Sequence, residues 1–200
     1  MYGRRGRAKH TGSGIWAAML LAQFGTLPVE DEGRLHDSRI RENFVERLFC
    51  RHRWREFIRS GPRLRDLAAF HARHKLTLAA HSDAHYRRLE RLVAGAGGRK
   101  LREVLEEYEQ WFAAALRVRA TPGKHAKVLQ HIAGLLKDQL DPGDRAEVAG
   151  LIENYRTGLV PLVAPLTLLA HHLRRHPVPW VQEQVYLNPY PAEVMLRSQV

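Results

Sequence analysis

The sequence predicts an all-α protein, a multi-helix bundle preceded by a short irregular N-terminal appendage. Three observations predict it. Apolar residues recur at steps of three and four through most of the chain beyond residue 37, the spacing of one helical face. Aspartate, serine or threonine stands ahead of several of these stripes, twice followed by proline, as at Thr121-Pro122 and Asp141-Pro142. No convincing alternation of apolar and polar residues, the mark of a strand, occurs beyond residue 38. The expected boundaries are 1–37 for the appendage and 38–200 for the helical domain.

In order along the chain, Gly12-Ser13-Gly14, Leu27-Pro28 and Glu32-Gly33 punctuate the first third, with a helix expected through Ile15–Phe24 and irregular chain from there to His36. Asp37 or Ser38 caps a helix carrying Ile40, Phe44, Leu48 and Phe49, which Ser60-Gly61-Pro62 stops. A second stretch begins near Arg63. Leu67, Phe70, His74, Leu78, His81, His85, Leu89 and Leu92 step along it until Gly95 to Gly98 ends it. The third stripe is the clearest: Leu101, Val104, Leu105, Tyr108, Trp111, Phe112, Ala115 and Leu116, with Glu103, Glu106, Glu107 and Glu109 mostly outside it. Thr121-Pro122 opens a helix carrying Val128, Ile132, Leu135, Leu136 and Leu140. Asp141-Pro142-Gly143-Asp144 opens another, through Val148, Leu151, Ile152 and Tyr155 to Gly158. The most apolar stretch, Leu159 to Leu173, is shorter than the roughly 20 residues of a membrane span and is interrupted by Pro161 and Pro165. It reads as a buried helix, and no membrane partner is expected.

Formal net charge is +11 over 200 residues, and the hydrophobic share of 44% argues against overall disorder. Residues 1–75 carry a net +8 and residues 76–200 a net +3, so the excess is concentrated in the first third. A genome bias toward arginine explains 26 Arg against 6 Lys, but not 32 basic residues against 21 acidic ones. That balance favours a polyanion partner. Cys50 stands alone, which excludes an internal disulfide and a cysteine-rich metal site. The start Met1-Tyr2-Gly3-Arg4 leads into no long apolar run, so no signal peptide is read and the cytoplasm is the expected location.

Three basic clusters are candidates for nucleic acid. Arg51, Arg53, Trp54 and Arg55 combine guanidinium forks with an indole able to stack on a base. Lys124, His125 and Lys127 stand at a helix start, where free N–H groups favour phosphate. Arg73 and Lys75 flank His74. Any of these, taken singly, also fits a solvated face. Against them stands a metal reading: His74, His81 and His85 share a helical face at ligand-like spacing, yet no Glu follows His81 to complete HExxH, and satisfied core histidines fit as well. Cys50 beside Arg51-His52-Arg53 could be activated by cations, although a buried structural thiol is the simpler reading. No catalytic set and no phosphate-binding loop stand out.

The pieces Phe70-xx-Arg73-His74-Lys75, Ala80-His81-Ser82, Tyr108-xxx-Phe112, Thr121-xx-Lys124-His125, Val128-Leu129-Gln130-His131-Ile132, Tyr155-Arg156-x-Gly158 and Tyr186-Leu187-x-Pro189-Tyr190-Pro191 together resemble the YbgA-like domain of unknown function over about residues 45–195. Gly12 to Ala17, Leu27 to Leu35 and Arg41-Glu42-Asn43-Phe44 resemble the C-terminal end of a thiouracil desulfidase-like (TudS-like) domain. The resemblance implies a partner of desulfuration on thiolated uracil or uridine in tRNA, with the helical part suspected of holding tRNA. It implies an iron–sulfur cluster on three cysteines, which belong upstream of Gly12, so the chain reads as N-terminally shortened and no cofactor is expected within it. It also adds His81, Gln130, His131 and Arg156 as weaker candidates for base or sugar contacts. The leading expectation is an RNA-binding accessory module without catalysis of its own. An independent metal or enzymatic protein using the histidines, and a scaffold docking on a separate desulfidase, remain open beside it.

Overall fold

The structure, a computed structural model, describes Met19, Ala22, Gln23, residues 25–194, Arg197 and Val200. Most of the helix expected through Ile15–Phe24, and the Gly12 motif, lie outside the described residues. Asp37 turns the chain from a 3₁₀ segment, Glu32–His36, into α1 (Ser38–Arg59) by accepting the backbone N–H groups of Arg39 at 2.9 Å and Ile40 at 3.1 Å. Gly61, with φ 64°, supplies the left-handed turn before Pro62 that ends it. There follow α2 (Leu64–His81), α3 (Asp83–Ala94), α4 (Leu101–Arg117), α5 (Pro122–Leu136), α6 (Pro142–Arg156), α7 (Val163–Arg175) and the short α8 (Pro179–Gln182). Thr121 and Asp141 cap α5 and α6 through the N–H groups of Lys124 and Asp144, as expected from their spacing. The protein is all-α: no strand occurs among the described residues.

Two expectations are corrected. The stripe from Arg63 to Gly95 is two helices, because Ser82 takes extended backbone (φ −158°, ψ 105°) and its hydroxyl accepts the His85 N–H at 3.4 Å. A serine cap starts a new helix here without disturbing the three-four spacing, so the break is silent in the stripe. The buried helix expected from Leu159 starts at Val163; Leu159 is 75% exposed, on a turn set by Gly158 at φ 84°.

α2 is the wall between two cores. Leu67, Phe70 and Leu78 pack with Cys50 and Trp54 of α1, Leu89 of α3, and Tyr108 and Phe112 of α4. Leu76 and Ala80 pack instead with Leu129 and Ile132 of α5, Ile152 of α6, Leu169 of α7, and Tyr186. A helix apolar on opposite sides must be buried on both, and each fully buried leucine stabilises by about 1.5–3 kcal/mol. No helix among the described residues is long and apolar enough to cross a membrane.

α1 shows its partner helices an unexpected face. Its buried residues are Glu42, Asn43, Glu46, Cys50 and Trp54, while Ile40, Phe44 and Phe49 are half-buried and Leu48 is exposed. Carboxylates are tolerated inside only where opposite charges and donors meet them, and those partners define one of the two sites described next.

Candidate functional site

α2 and α5 lie side by side; one cleft runs between them, and a second lies between α2 and the segment that carries Trp180. One, with about 490 Å³ open to a water-sized group, is lined by Lys75, Asp83, Lys124, Lys127 and His131 among others. The other, about 810 Å³, is lined by Arg73, Lys75, Trp180, Glu183 and Gln184. Lys75 borders both, and the two clefts flanking it are together the groove of α2. Its Nζ stands 5.6 Å from the Trp180 ring, and His131 lies 6.0 Å from that ring on the other helix. Gln184 fixes the far wall: its amide donates to Ala72 O and accepts from the Leu76 N–H, while the Val185 N–H donates to Arg73 O.

The surface cations are of two kinds, and Arg39, Arg55, Lys137, Arg174 and Arg175, exposed elsewhere, share with those of the groove the lack of an ion pair with another described residue. Arg87, Arg99, Arg102 and Arg156 each pair with a carboxylate of Asp83, Glu107, Glu106 and Glu153 respectively. Arg73, Lys75 and Lys127 form no ion pair with another described residue. Lys124 is partly committed, its Nζ donating to the His81 carbonyl at 2.6 Å and to that of Arg119 at 3.4 Å. There it closes the C-terminus of α2, where a cation is favoured by the helix dipole.

Other predicted contacts are not brought to this groove. Trp54 is buried in the first core, stacked on Tyr108 with ring centres 5.2 Å apart, so no base can reach its indole. The apolar packing of α1 against α4 claims it. His125 is buried too, with Nδ1 2.9 Å from the Tyr186 hydroxyl, and is withdrawn from phosphate contact. Arg51 turns to Thr26 at 2.7 Å and lies near Glu109 at 3.8 Å. Arg53 donates to the Asn188 carbonyl at 3.3 Å, and Arg55 is exposed on α1. Gln130 borders a separate hollow with Lys137 and Arg145, and Arg156 is paired on exposed α6.

The three histidines of the metal reading also part ways. His74 donates from Nδ1 to Phe70 O at 2.8 Å and stacks on the Phe70 ring at 4.1 Å; burial holds its pKa down to about 3. His85 sits 2.8 Å from the Ser82 hydroxyl and beside Trp111. His81 points to α1. Among the described residues no group of three or more His, Cys, Asp or Glu is placed to hold a metal ion. Cys50 is fully buried, and burial pushes its thiol pKa up, opposite to activation by the neighbouring arginines.

The second site is the buried polar face of α1, which the sequence reading missed. His81 Nε2 lies 3.1 Å from Glu46 Oε2, with both side chains almost wholly buried, and Nδ1–H donates to Val118 O at 2.7 Å. Asn43 Nδ2 donates to Leu116 O at 3.1 Å, so Asn43 and His81 together satisfy the carbonyls that end α4. From the C-terminal segment, the Tyr190 hydroxyl donates to Glu42 Oε1 at 3.2 Å. Arg197 donates to Tyr186 O and brings its guanidinium within 3.6 Å of Glu42 and 3.9 Å of Glu46.

The two carboxylates are driven apart. Burial, then the charge of Glu46, pushes the Glu42 pKa up to about 7. Burial would raise Glu46 as well, but the charge and hydrogen bond of His81, with Arg197, outweigh it and hold Glu46 down to about 2. His81 is raised despite its burial, by Glu46 and by the Val118 carbonyl. An ionised Glu46 paired with a cationic His81, beside a Glu42 that changes charge near neutrality, is an environment that active sites use to separate acid from base. One sequence signal was available: Glu42 and Glu46 are four residues apart, on the same helical face as the apolar Cys50.

A family described as a protein of unknown function, DUF1722, matches residues 75–191. The chain is also 31% identical over 160 residues to the uncharacterized protein YbgA of Escherichia coli (strain K12), covering 80% of this chain and 95% of that protein. No solved structure matches. The family match takes in the cationic groove from Lys75 onward, together with His81, His125, Tyr186 and Tyr190.

Proposed function

The chain belongs to the DUF1722 family, and from that premise we propose that it is an RNA-binding accessory module whose ligand is tRNA. It acts beside a desulfidase domain or subunit working on thiolated uridine or uracil. The observation that carries the RNA reading is the pair of clefts flanking Lys75 on α2, where Arg73, Lys75 and Lys127 lack carboxylate partners and an exposed indole, Trp180, stands beside Lys75. Unpaired cations along a groove hold a phosphate backbone, and an aromatic ring beside them accepts a stacked base. The likeness of residues 12–44 to a desulfidase end supports the second half of the reading.

The test is the salt dependence of tRNA affinity. With three or four cations engaged, the log–log slope is about −2 to −4, from roughly 0.7–0.9 counterions released per phosphate contact. Binding that does not change with salt, or no binding at low salt, refutes the reading.

A further inference from the structure

The cleft between α2 and the segment that carries Trp180 holds a group that a phosphate backbone alone does not call for. Arg73 and Lys75 supply its cations, yet Glu183 lines it with them. The carboxylate forms no ion pair with either cation or with any other described residue. Opposite charges that share a cleft without meeting are held apart by the backbone. Gln184, next to Glu183, is buried; its amide donates to Ala72 O at 2.9 Å and accepts from the Leu76 N–H at 3.1 Å. The Val185 N–H donates to Arg73 O at 2.9 Å. These bonds tie the wall that carries Glu183 to α2.

Trp180 and Glu183 are three residues apart at helical spacing, which makes them neighbours on one face of that turn. Both are exposed and both line the cleft, while Val181 and Gln184 beside them are buried. From α2, Ala69 and Ala72 are also three apart and exposed, and they line the cleft with methyl groups alone. Lys75 Nζ stands 5.6 Å from the indole centre, so an anion held by Lys75 is within one nucleotide of a ring stacked on Trp180. The cleft, about 810 Å³, falls within the roughly 300–1,000 Å³ of small-molecule sites and admits a whole ring with its sugar. The matching ligand has an aromatic face, an anion and an N–H edge. A carboxylate accepts two parallel N–H bonds at once. Among the nucleobases, guanine alone presents two such donors side by side, its ring N–H and its amino group. Adenine and cytosine place an acceptor nitrogen beside their amino group, and uracil flanks its one N–H with carbonyls. Each of those edges turns a lone pair toward the carboxylate, which opposes binding.

We propose that this cleft is a guanine nucleotide site, with the base stacked on Trp180, its N–H edge on Glu183 and its phosphate on Arg73 and Lys75. The nucleotide is either free or an unpaired guanosine of an RNA strand, since base pairing occupies the same edge. The strand source rests on the RNA reading above; the free source does not.

The experiment follows the indole N–H signal of Trp180 by NMR in the full chain, assigned by its loss in Trp180→Phe. The probes are GMP, AMP, UMP, GMP methylated on the ring N–H, and two short single-stranded RNA oligomers, one of adenosine alone and one with a single guanosine. GMP shifts the signal saturably. AMP, UMP and methylated GMP bind at least about tenfold more weakly, the discrimination of a bidentate contact. Glu183→Gln keeps the side-chain shape but breaks the paired acceptor, and it closes the gap between GMP and AMP. A shift with GMP shows that a free nucleotide suffices, and a guanosine-dependent shift with the oligomer alone assigns the site to the strand. Equal binding of GMP and AMP with no guanosine-dependent oligomer shift, a guanine preference that survives Glu183→Gln, or no shift with any probe overturns the proposal. Salt-dependent tRNA binding retained in that case leaves the groove reading standing. GMP selectivity without tRNA binding supports this site and removes the groove reading.

Discussion

Replacing Glu46 with glutamine keeps the side-chain shape and removes one buried negative charge. Glu46 faces His81 Nε2 at 3.1 Å and Arg197 Nη2 at 3.9 Å, with all three side chains buried. Removing one partner of a buried charge pair costs about 3–5 kcal/mol, because the remaining charge loses its counterion inside the protein. Here His81 can release its proton and Arg197 keeps Glu42 as a counterion at 3.6 Å. The loss therefore falls at the lower end, about 3 kcal/mol, or a fall in Tm of roughly 6–12 °C for a chain this long. A second readout separates charge from packing. The charge of Glu46 is one reason the Glu42 pKa stands at about 7, so Glu46→Gln lowers the Glu42 pKa. Urea unfolding at pH 7.5 gives the first quantity, and carboxyl-carbon NMR titration gives the second. A loss below about 1 kcal/mol with an unmoved Glu42 titration would refute the coupled network, since a broken buried pair costs several times that.

Two further outcomes follow from the same structure. The folded state holds the His74 pKa at about 3 against an ordinary 6.5, so the unfolded chain takes up a proton that the folded chain refuses. That stability is present above about pH 6.5 and is lost as the pH falls toward 3. At about 1.4 kcal/mol per unit it amounts to something on the order of 5 kcal/mol. His74→Leu flattens the stability profile between pH 6.5 and 4, measured by urea midpoints, and an unchanged profile contradicts the assignment. The two tryptophans divide function from packing. Trp180→Ala weakens tRNA binding by about 1–3 kcal/mol with little change in urea midpoint. Trp54→Ala destabilises by about 3–5 kcal/mol and leaves the affinity of the folded fraction unchanged.

How much of this was legible in the sequence depends on the range of the interaction. Thr121 and Asp141 announce their helices because a cap is made within three residues, and the α4 stripe is read correctly because Val104, Tyr108, Phe112, Ala115 and Leu116 are themselves the buried face. α1 misleads for the opposite reason. Its inner face is polar, stabilised by His81 and Arg197, which are 35 and 151 positions away from Glu46, and no local pattern reports them. Trp54 was read as a base platform from its arginine neighbours, yet on a helix those neighbours point elsewhere and the indole faces α4. The lysines of the groove were visible as clusters. Trp180 was not, because it sits on a four-residue helix placed by Gln184 and Val185 bonding to the backbone of α2. The break at Ser82 hid the departure of His85 from the helix of His74 and His81, and those two part because one bonds to Phe70 O and the other to Glu46 and Val118 O.

The most direct test of the central claim compares tRNA affinity at low salt for the native chain, Lys75→Glu/Lys127→Glu and the control Arg99→Glu/Arg102→Glu. Both variants change net charge equally, but the control alters cations that already pair with Glu107 and Glu106 outside the groove. The account predicts at least a tenfold loss and a shallower salt slope for the groove variant, with a loss of less than about threefold for the control. Equal losses for the two variants would mean that tRNA responds to overall charge, and would contradict the groove as the binding surface.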